Sequence, residues 1–211
     1  MIESMELLVQ ISIAIGTIGA VLVALFRDNL RLLFAPPKLS LKILDAGGYK
    51  TKVQLNNPDS EDHIPSVEAP ARYYHLLVKN NRRWSTAHQV QVFITRIESP
   101  GPDGLLQVDW AGELPLRWRY QESYPITRTL GANAECDLCN IIKGQGLQLM
   151  PLIRPNEFPK IWQEKANLVL SLQARSVETD SAVLRVNIDW NGDWEDGQLE
   201  MKKHMIIKES K

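Results

Sequence analysis

Leu7 to Phe26 reads LLVQISIAIGTIGAVLVALF, a run of twenty residues without a charge. At about 1.5 Å per residue, a helix of this length covers roughly the 30 Å hydrocarbon thickness of a bilayer. A cleaved signal peptide would carry a basic start, a shorter apolar stretch and a small-residue cleavage site. Here Glu3 and Glu6 precede the run, and Arg27-Asp-Asn-Leu-Arg31 follows it. The stretch therefore reads as a single membrane span. Arg27, Arg31, Lys38 and Lys42 lie just after it, and no Lys or Arg lies before it. The positive-inside rule then places the body in the cytoplasm and a short N-terminal stub outside, as in a single-pass inner-membrane protein.

The span has two faces when its residues are placed at helical intervals. Leu7, Leu8, Ile11, Ile15, Ile18, Leu22, Leu25 and Phe26 share one side. Ser12, Gly16, Ala20 and Ala24 recur every four residues on the other, bordered by Gln10 and Thr17. Lipid is as apolar as leucine, so helices associate in it where small residues let backbones approach and polar groups meet. Gln10, Ser12, Gly16, Ala20 and Ala24 thus form the expected helix–helix contact of a homo-oligomer. Downstream, RDNLRLLFAPP suits a helix emerging through the headgroups and stopped by Pro36-Pro37. The expected membrane unit is residues 1–37, and the cytoplasmic body is 38–211.

The body alternates with period two. Leu39, Leu41 and Ile43 set one such run, and Tyr74, Leu76 and Val78 another, with Tyr73, His75 and Leu77 on the opposite side. Val90–Ile94, Leu114–Tyr120, Leu168–Leu172 and Leu184–Trp190 repeat the pattern; Thr51–Leu55, Leu105–Trp110, Leu147–Leu149 and Met201–Lys208 are weaker. Gly47-Gly48, Asn56-Asn57-Pro58, Pro100–Gly104, Asn191-Gly192 and Asp196-Gly197 punctuate the runs as turns. Lys160–Lys165 reads as a single helical turn, and the acidic Asn56–Pro70 as a mobile loop. The fold class expected is mainly β: an antiparallel β-sandwich, immunoglobulin-like in shape, behind one transmembrane helix.

Charge narrows the partners. The chain holds 24 basic and 25 acidic residues. Arg27 and Arg31, with Glu3, Glu6 and Asp28, precede residue 35, so the body keeps 22 of each sign. That balance argues against non-specific nucleic acid binding. Two cysteines, in Cys136-Asp-Leu-Cys139, supply half a zinc site at most, and His63, His75, His88 and His204 are scattered. They read as reduced, partly buried thiols, with no metal and no cofactor expected. Asp189–Gly197 has the acids of a calcium loop, but Trp194 stands where its glycine belongs, and Asn191-Gly192 favours a two-residue hairpin turn. Lys143-Gly-Gln-Gly146 lacks the third glycine of a dinucleotide fingerprint.

The richest polar-aromatic group is Asn80-Asn-Arg82-Arg83-Trp84, taken together with Arg72, Arg117, Trp118 and Arg119. Arginine forks bind carboxylates and phosphates, and tryptophan offers a stacking face. These residues are the candidate site for a small anionic ligand such as a nucleotide.

The run RYYHLLVKNNRRWSTAHQVQVFITRIE (Arg72–Glu98), with PLRWRYQ and CDLCN further on, resembles bacterial proteins that join a short membrane anchor to a β-sandwich and have no assigned activity. The resemblance implies an anchored binding domain without catalytic residues. In layout, a short span before a cytoplasmic domain is also similar to membrane effectors of bacterial antiviral systems. The expected function is therefore non-enzymatic binding of a partner protein or small ligand, with a ligand-gated membrane effector as the alternative.

Overall fold

The computed structural model describes residues 2–55, 67–120, 126–156, 158 and 161–210. Its first element is a continuous helix, α1 (Ile2–Phe34). Val9–Arg27 within it has a mean hydropathy of 2.3, and none of it is buried. An apolar surface of this extent is unstable in water and stable in hydrocarbon. By length and composition α1 is thus fit to cross a membrane once. The Thr17 hydroxyl donates to the Ile13 carbonyl at 2.8 Å, which satisfies it within the helix. Ser12, Gly16, Ala20 and Ala24 all lie on exposed helix surface, as does Gln10. The side chains of Leu7, Leu8 and Arg31 lie outside the described residues.

The helix ends where expected, two residues before Pro36, and the chain enters β1 (Leu39–Ile43). It continues through β2 (Tyr49–Leu55), β3 (Val67–Asn80), β4 (Ala87–Pro100), β5 (Leu106–Pro115), β6 (Arg128–Leu130), β7 (Asn133–Ile142), β8 (Gly146–Leu149), β9 (Ala166–Arg175) and β10 (Leu184–Trp190). A short α2 (Gln198–His204) then leads to β11 (Met205–Ser210). One sheet has the order β1-β3-β7-β8, with β2 joined to the other end of the long β3. The second runs β11-β10-β9-β4-β5, with β6 on β4. Every pairing between named strands is antiparallel.

The two sheets share one core. Tyr74, Leu76, Val78, Cys136 and Leu138 of the first sheet meet Val92, Ile94, Leu170, Leu172, Val186 and Ile188 of the second. The alternation seen in the sequence is this inward-facing set, and the fold is the expected β-sandwich.

Local readings differ at five places. Leu114–Tyr120 is not one strand: β5 stops at Pro115, Leu116 and Trp118 make isolated bridges, and Tyr120 turns outward at φ 62°. Asn191-Gly192 is not a two-residue hairpin, because α2 intervenes and Trp190 pairs with Met205 instead. The weak strand at Met201–Lys208 begins only at Met205, since Met201 lies on α2. Within Lys160–Lys165, Trp162 is bridged to Leu147 in extended backbone rather than coiled in a helical turn, and Lys160 lies outside the described residues. Of the acidic loop, residues 56–66 lie outside the described residues, while Val67–Pro70 is part of β3 and pairs with β2.

β7 explains the two cysteines. In an unbroken strand, positions three apart face opposite ways. The β3–β7 register shifts between Tyr74 and His75, so Leu138 becomes an extra residue in β7. Cys136 and Cys139 consequently both enter the core, as free thiols. Burial pushes both thiols well above the ordinary range.

Candidate ligand-binding site

The same bulge shapes the outer face of the first sheet. It brings His75 of β3 directly opposite Asp137 of β7. His75 Nδ1 lies 2.9 Å from Asp137 Oδ1, and the side chains are only 4% and 11% exposed. A carboxylate on Nδ1 fixes the imidazole and leaves Nε2 for other partners. The Tyr73 ring stacks beside His75 at 6.3 Å and 17°, and Tyr49 of β2 tilts over it at 5.5 Å and 48°.

Arg119 supplies the cation. It lies just beyond β5, where its N–H donates to the Glu135 carbonyl at 3.0 Å. Its guanidinium carbon sits 4.7 Å from the Tyr49 ring centre and 4.6 Å from that of Tyr120. Both are within the range for cation–π attraction. Arg119 Nη1 also donates to Glu135 Oε2. Partial burial works against the charge, but Glu135 outweighs it and holds the Arg119 pKa above its usual value.

Tyr49, Lys50, Thr51, Tyr73, His75, Arg119, Tyr120 and Asp137 enclose a pocket of about 350 Å³. That is near the lower end of small-molecule sites, which run from about 300 to 1,000 Å³. It has room for one ring system with its substituents. The polar groups are already placed: an imidazole held by a carboxylate, a guanidinium held between rings, and Lys50 paired with Asp196 at 2.9 Å. Such an arrangement can stack a planar group, hydrogen-bond its edge and neutralise an attached anion.

A larger hollow of about 600 Å³ lies across the ends of β4, β9 and β10 in the second sheet, lined by Trp162, Lys165, Asp189 and Trp190 among others. Lys165 and Asp189 are exposed, and among the described residues neither is held in an ion pair. With its charges unpaired among the described residues, that hollow is the weaker site.

The sequence-derived cluster is dispersed. Arg72 is buried at 1% exposure and serves the fold: Nη1 donates to the Gly47 and Gly48 carbonyls at 3.0 and 3.4 Å, and Nη2 to the Asp196 carbonyl at 3.0 Å. It ties the β1–β2 turn and the approach to α2 onto the sheet. Gly48 adopts φ +65° there, and a Cβ on it would lie 2.8 Å from the Arg72 side chain. Arg82 Nη1 donates to the Pro36 carbonyl at 3.0 Å, while Arg83 and Trp84 project from the β3–β4 turn. Trp118 lies in the core with its indole N–H donating to the Ile126 carbonyl at 2.8 Å. Arg117 is half-buried, and among the described residues its Nε has no hydrogen-bond partner.

Only Arg119 of that cluster lines the pocket. Tyr49, Tyr73, His75, Tyr120 and Asp137 escaped the reading. One signal was present: Tyr73 and His75 alternate with the core positions of a strong strand, on a face where Tyr73 meets only the small cluster of Ala69, Ala71 and Ile142. Among the described residues no group of three His, Cys, Asp or Glu side chains is suited to a metal ion. Comparison with known protein families, with curated proteins and with solved structures finds no match for this chain.

Proposed function

We propose that this is a non-enzymatic, single-pass inner-membrane protein whose cytoplasmic β-sandwich binds a small planar, anionic ligand between Tyr49, Tyr73, His75 and Arg119. The observation that carries the reading is Arg119, held between two tyrosine rings above a buried His75–Asp137 pair. Three kinds of recognition meet in one small pocket. A nucleotide-sized ligand suits it: the base stacks on the rings, and its phosphate exchanges with Glu135 for Arg119 and reaches Lys50. Cytoplasmic placement is supported by Arg27, Lys38 and Lys42 just after the span.

The span is proposed to self-associate through Gln10, Ser12, Gly16, Ala20 and Ala24. Among the described residues a Cβ added at Gly16 would meet nothing within 4 Å, which supports a surface open to a second helix. One further observation favours the effector alternative. β3 carries Tyr73 and His75 and ends at Asn80, whose Oδ1 accepts from the Lys38 N–H at 3.2 Å. Pocket and helix end thus share one strand. The two readings differ in whether occupancy changes the membrane.

The test is analysis of small molecules carried by the full-length protein purified in detergent, beside Arg119→Glu. The expected result is an anionic, ring-containing compound released from the wild type, and at least tenfold less from R119E. No such compound in the wild type, with no thermal shift from a panel of nucleotides, overturns the reading.

A further inference from the structure

The β3–β4 turn, rich in arginine like the pocket's cation, stands apart from the pocket. Its backbone is closely tied. Asn80 is 2% exposed and central to it. Asn80 Oδ1 accepts from the N–H groups of Lys38 and Arg82 at 3.2 and 3.1 Å, and Nδ2 donates to the Ser85 and Leu130 carbonyls at 2.5 and 3.2 Å. The Asn81 N–H donates to the Lys38 carbonyl at 2.8 Å, and the Asn81 side chain donates to Ser40 Oγ at 2.9 Å. With Arg82 on the Pro36 carbonyl, the turn is fastened to the four residues that join α1 to β1.

What this rigid turn displays is unusual for a surface in water. Trp84 is 65% exposed, and Arg83 beside it is exposed as well. Lys42 lies on the edge strand β1, Lys38 just before it, and Lys79 beside them on β3. Among the described residues, none of Lys38, Lys42, Lys79, Arg82 and Arg83 has an ion-pair partner. Lys42, and more weakly Arg83, press the Lys79 pKa below its ordinary value. Uncompensated like charge is costly in this otherwise balanced body, and an anionic surface would relieve it.

The position relative to the bilayer follows from helix length. The apolar window ends at Arg27, and α1 runs on to Phe34. Those seven residues add about 10 Å, enough to cross one headgroup layer of roughly 5–8 Å. Leu33 and Phe34 are 74% and 78% exposed, apolar groups suited to that layer. Pro36, and the turn hydrogen-bonded to it, therefore emerge at the headgroup surface.

We propose that the Arg82-Arg83-Trp84 turn, with Lys38, Lys42 and Lys79, docks onto the anionic lipid surface of the same leaflet through which α1 emerges. Trp84 enters the interfacial layer, where an amphipathic indole is favoured, and the cations meet lipid phosphates. Docking holds the sandwich at a fixed angle to the membrane. The inference rests on α1 being a span.

The experiment reconstitutes the full-length chain into vesicles of neutral lipid, or of neutral lipid with phosphatidylglycerol, each with and without a brominated lipid that quenches tryptophan. Flotation with the vesicles reports the span by itself. The Trp84 signal is the difference between wild type and Trp84→Phe. The expected result is quenching about twofold or more stronger in the anionic vesicles, falling to the neutral level at high salt and in the double variant Lys79→Glu with Arg83→Glu. Wild-type protein that floats, with Trp84 quenched equally in both vesicles or in neither, overturns the proposal while leaving the span intact. So does a blue-shifted Trp84 that no brominated lipid quenches, which would mean that protein, either a second copy or a partner, covers it. The comparison of the two lipids needs only the wild-type fold, and near-ultraviolet dichroism checks that of the variants.

Discussion

Gly146 opens β8 at φ +103°, and a Cβ placed on it would lie 2.1 Å from the Trp162 carbonyl oxygen. That carbonyl accepts from the Leu147 N–H at 2.9 Å, the bond that lets residue 162 close beside the strand. Any side chain here must both adopt a left-handed backbone and displace another backbone. Gly146→Ala is therefore expected to destabilise the detergent-solubilised protein by about 2 kcal/mol or more, read as a lower denaturant midpoint. An unchanged midpoint would show that the 162 segment is not fixed against β8. His75 illustrates the opposite case at the same scale. Its place in the alternation of β3 is legible in the sequence, but its role is not, because that depends on Asp137, sixty-two positions away and brought opposite by the β7 bulge.

At the level of elements, β4 is joined to the β9–β10 connection by a buried acid. Glu178 accepts from the His88 N–H at 2.9 Å and pairs with His88 Nδ1. Desolvation raises its pKa, but the bonds from His88 and Ser176 outweigh this and leave it below the ordinary 4.5. A carboxylate with a depressed folded-state pKa stabilises the fold above its unfolded value. That contribution fades as pH falls from there through the lowered value. Urea midpoints of the wild type should thus drop more than those of Glu178→Gln as the pH is taken from 6 to about 3.5. Parallel profiles would mean that Glu178 carries no such linkage. The elements differ in how openly the sequence declared them. β1, β9 and β10 each set a buried face against a wetter one, so their periodicity is plain. β7 is buried along nearly its whole length between β3 and β8, and its bulge breaks the period. α2 has seven residues and only Met201 buried, too little for a helical pattern to register. The pocket draws on β2, β3, β7 and the segment after β5, so no single stretch of sequence announced it.

At the scale of the molecule, the chain joins an unburied apolar helix to a closed two-sheet sandwich through four residues fastened by Asn80, Asn81 and Arg82. A loose tether would leave the body free to tumble beneath the membrane. This one fixes β1, and through it β3 and the pocket face, relative to the helix end. The whole account rests on α1 crossing the bilayer with the sandwich on the cytoplasmic side. The most direct test is protease protection of a C-terminally tagged full-length chain in intact spheroplasts and after lysis, together with alkaline carbonate extraction. The account predicts a tag that resists protease until lysis and a chain that stays in the membrane pellet through carbonate. A tag digested in intact spheroplasts, or a chain released to the supernatant by carbonate, would contradict it.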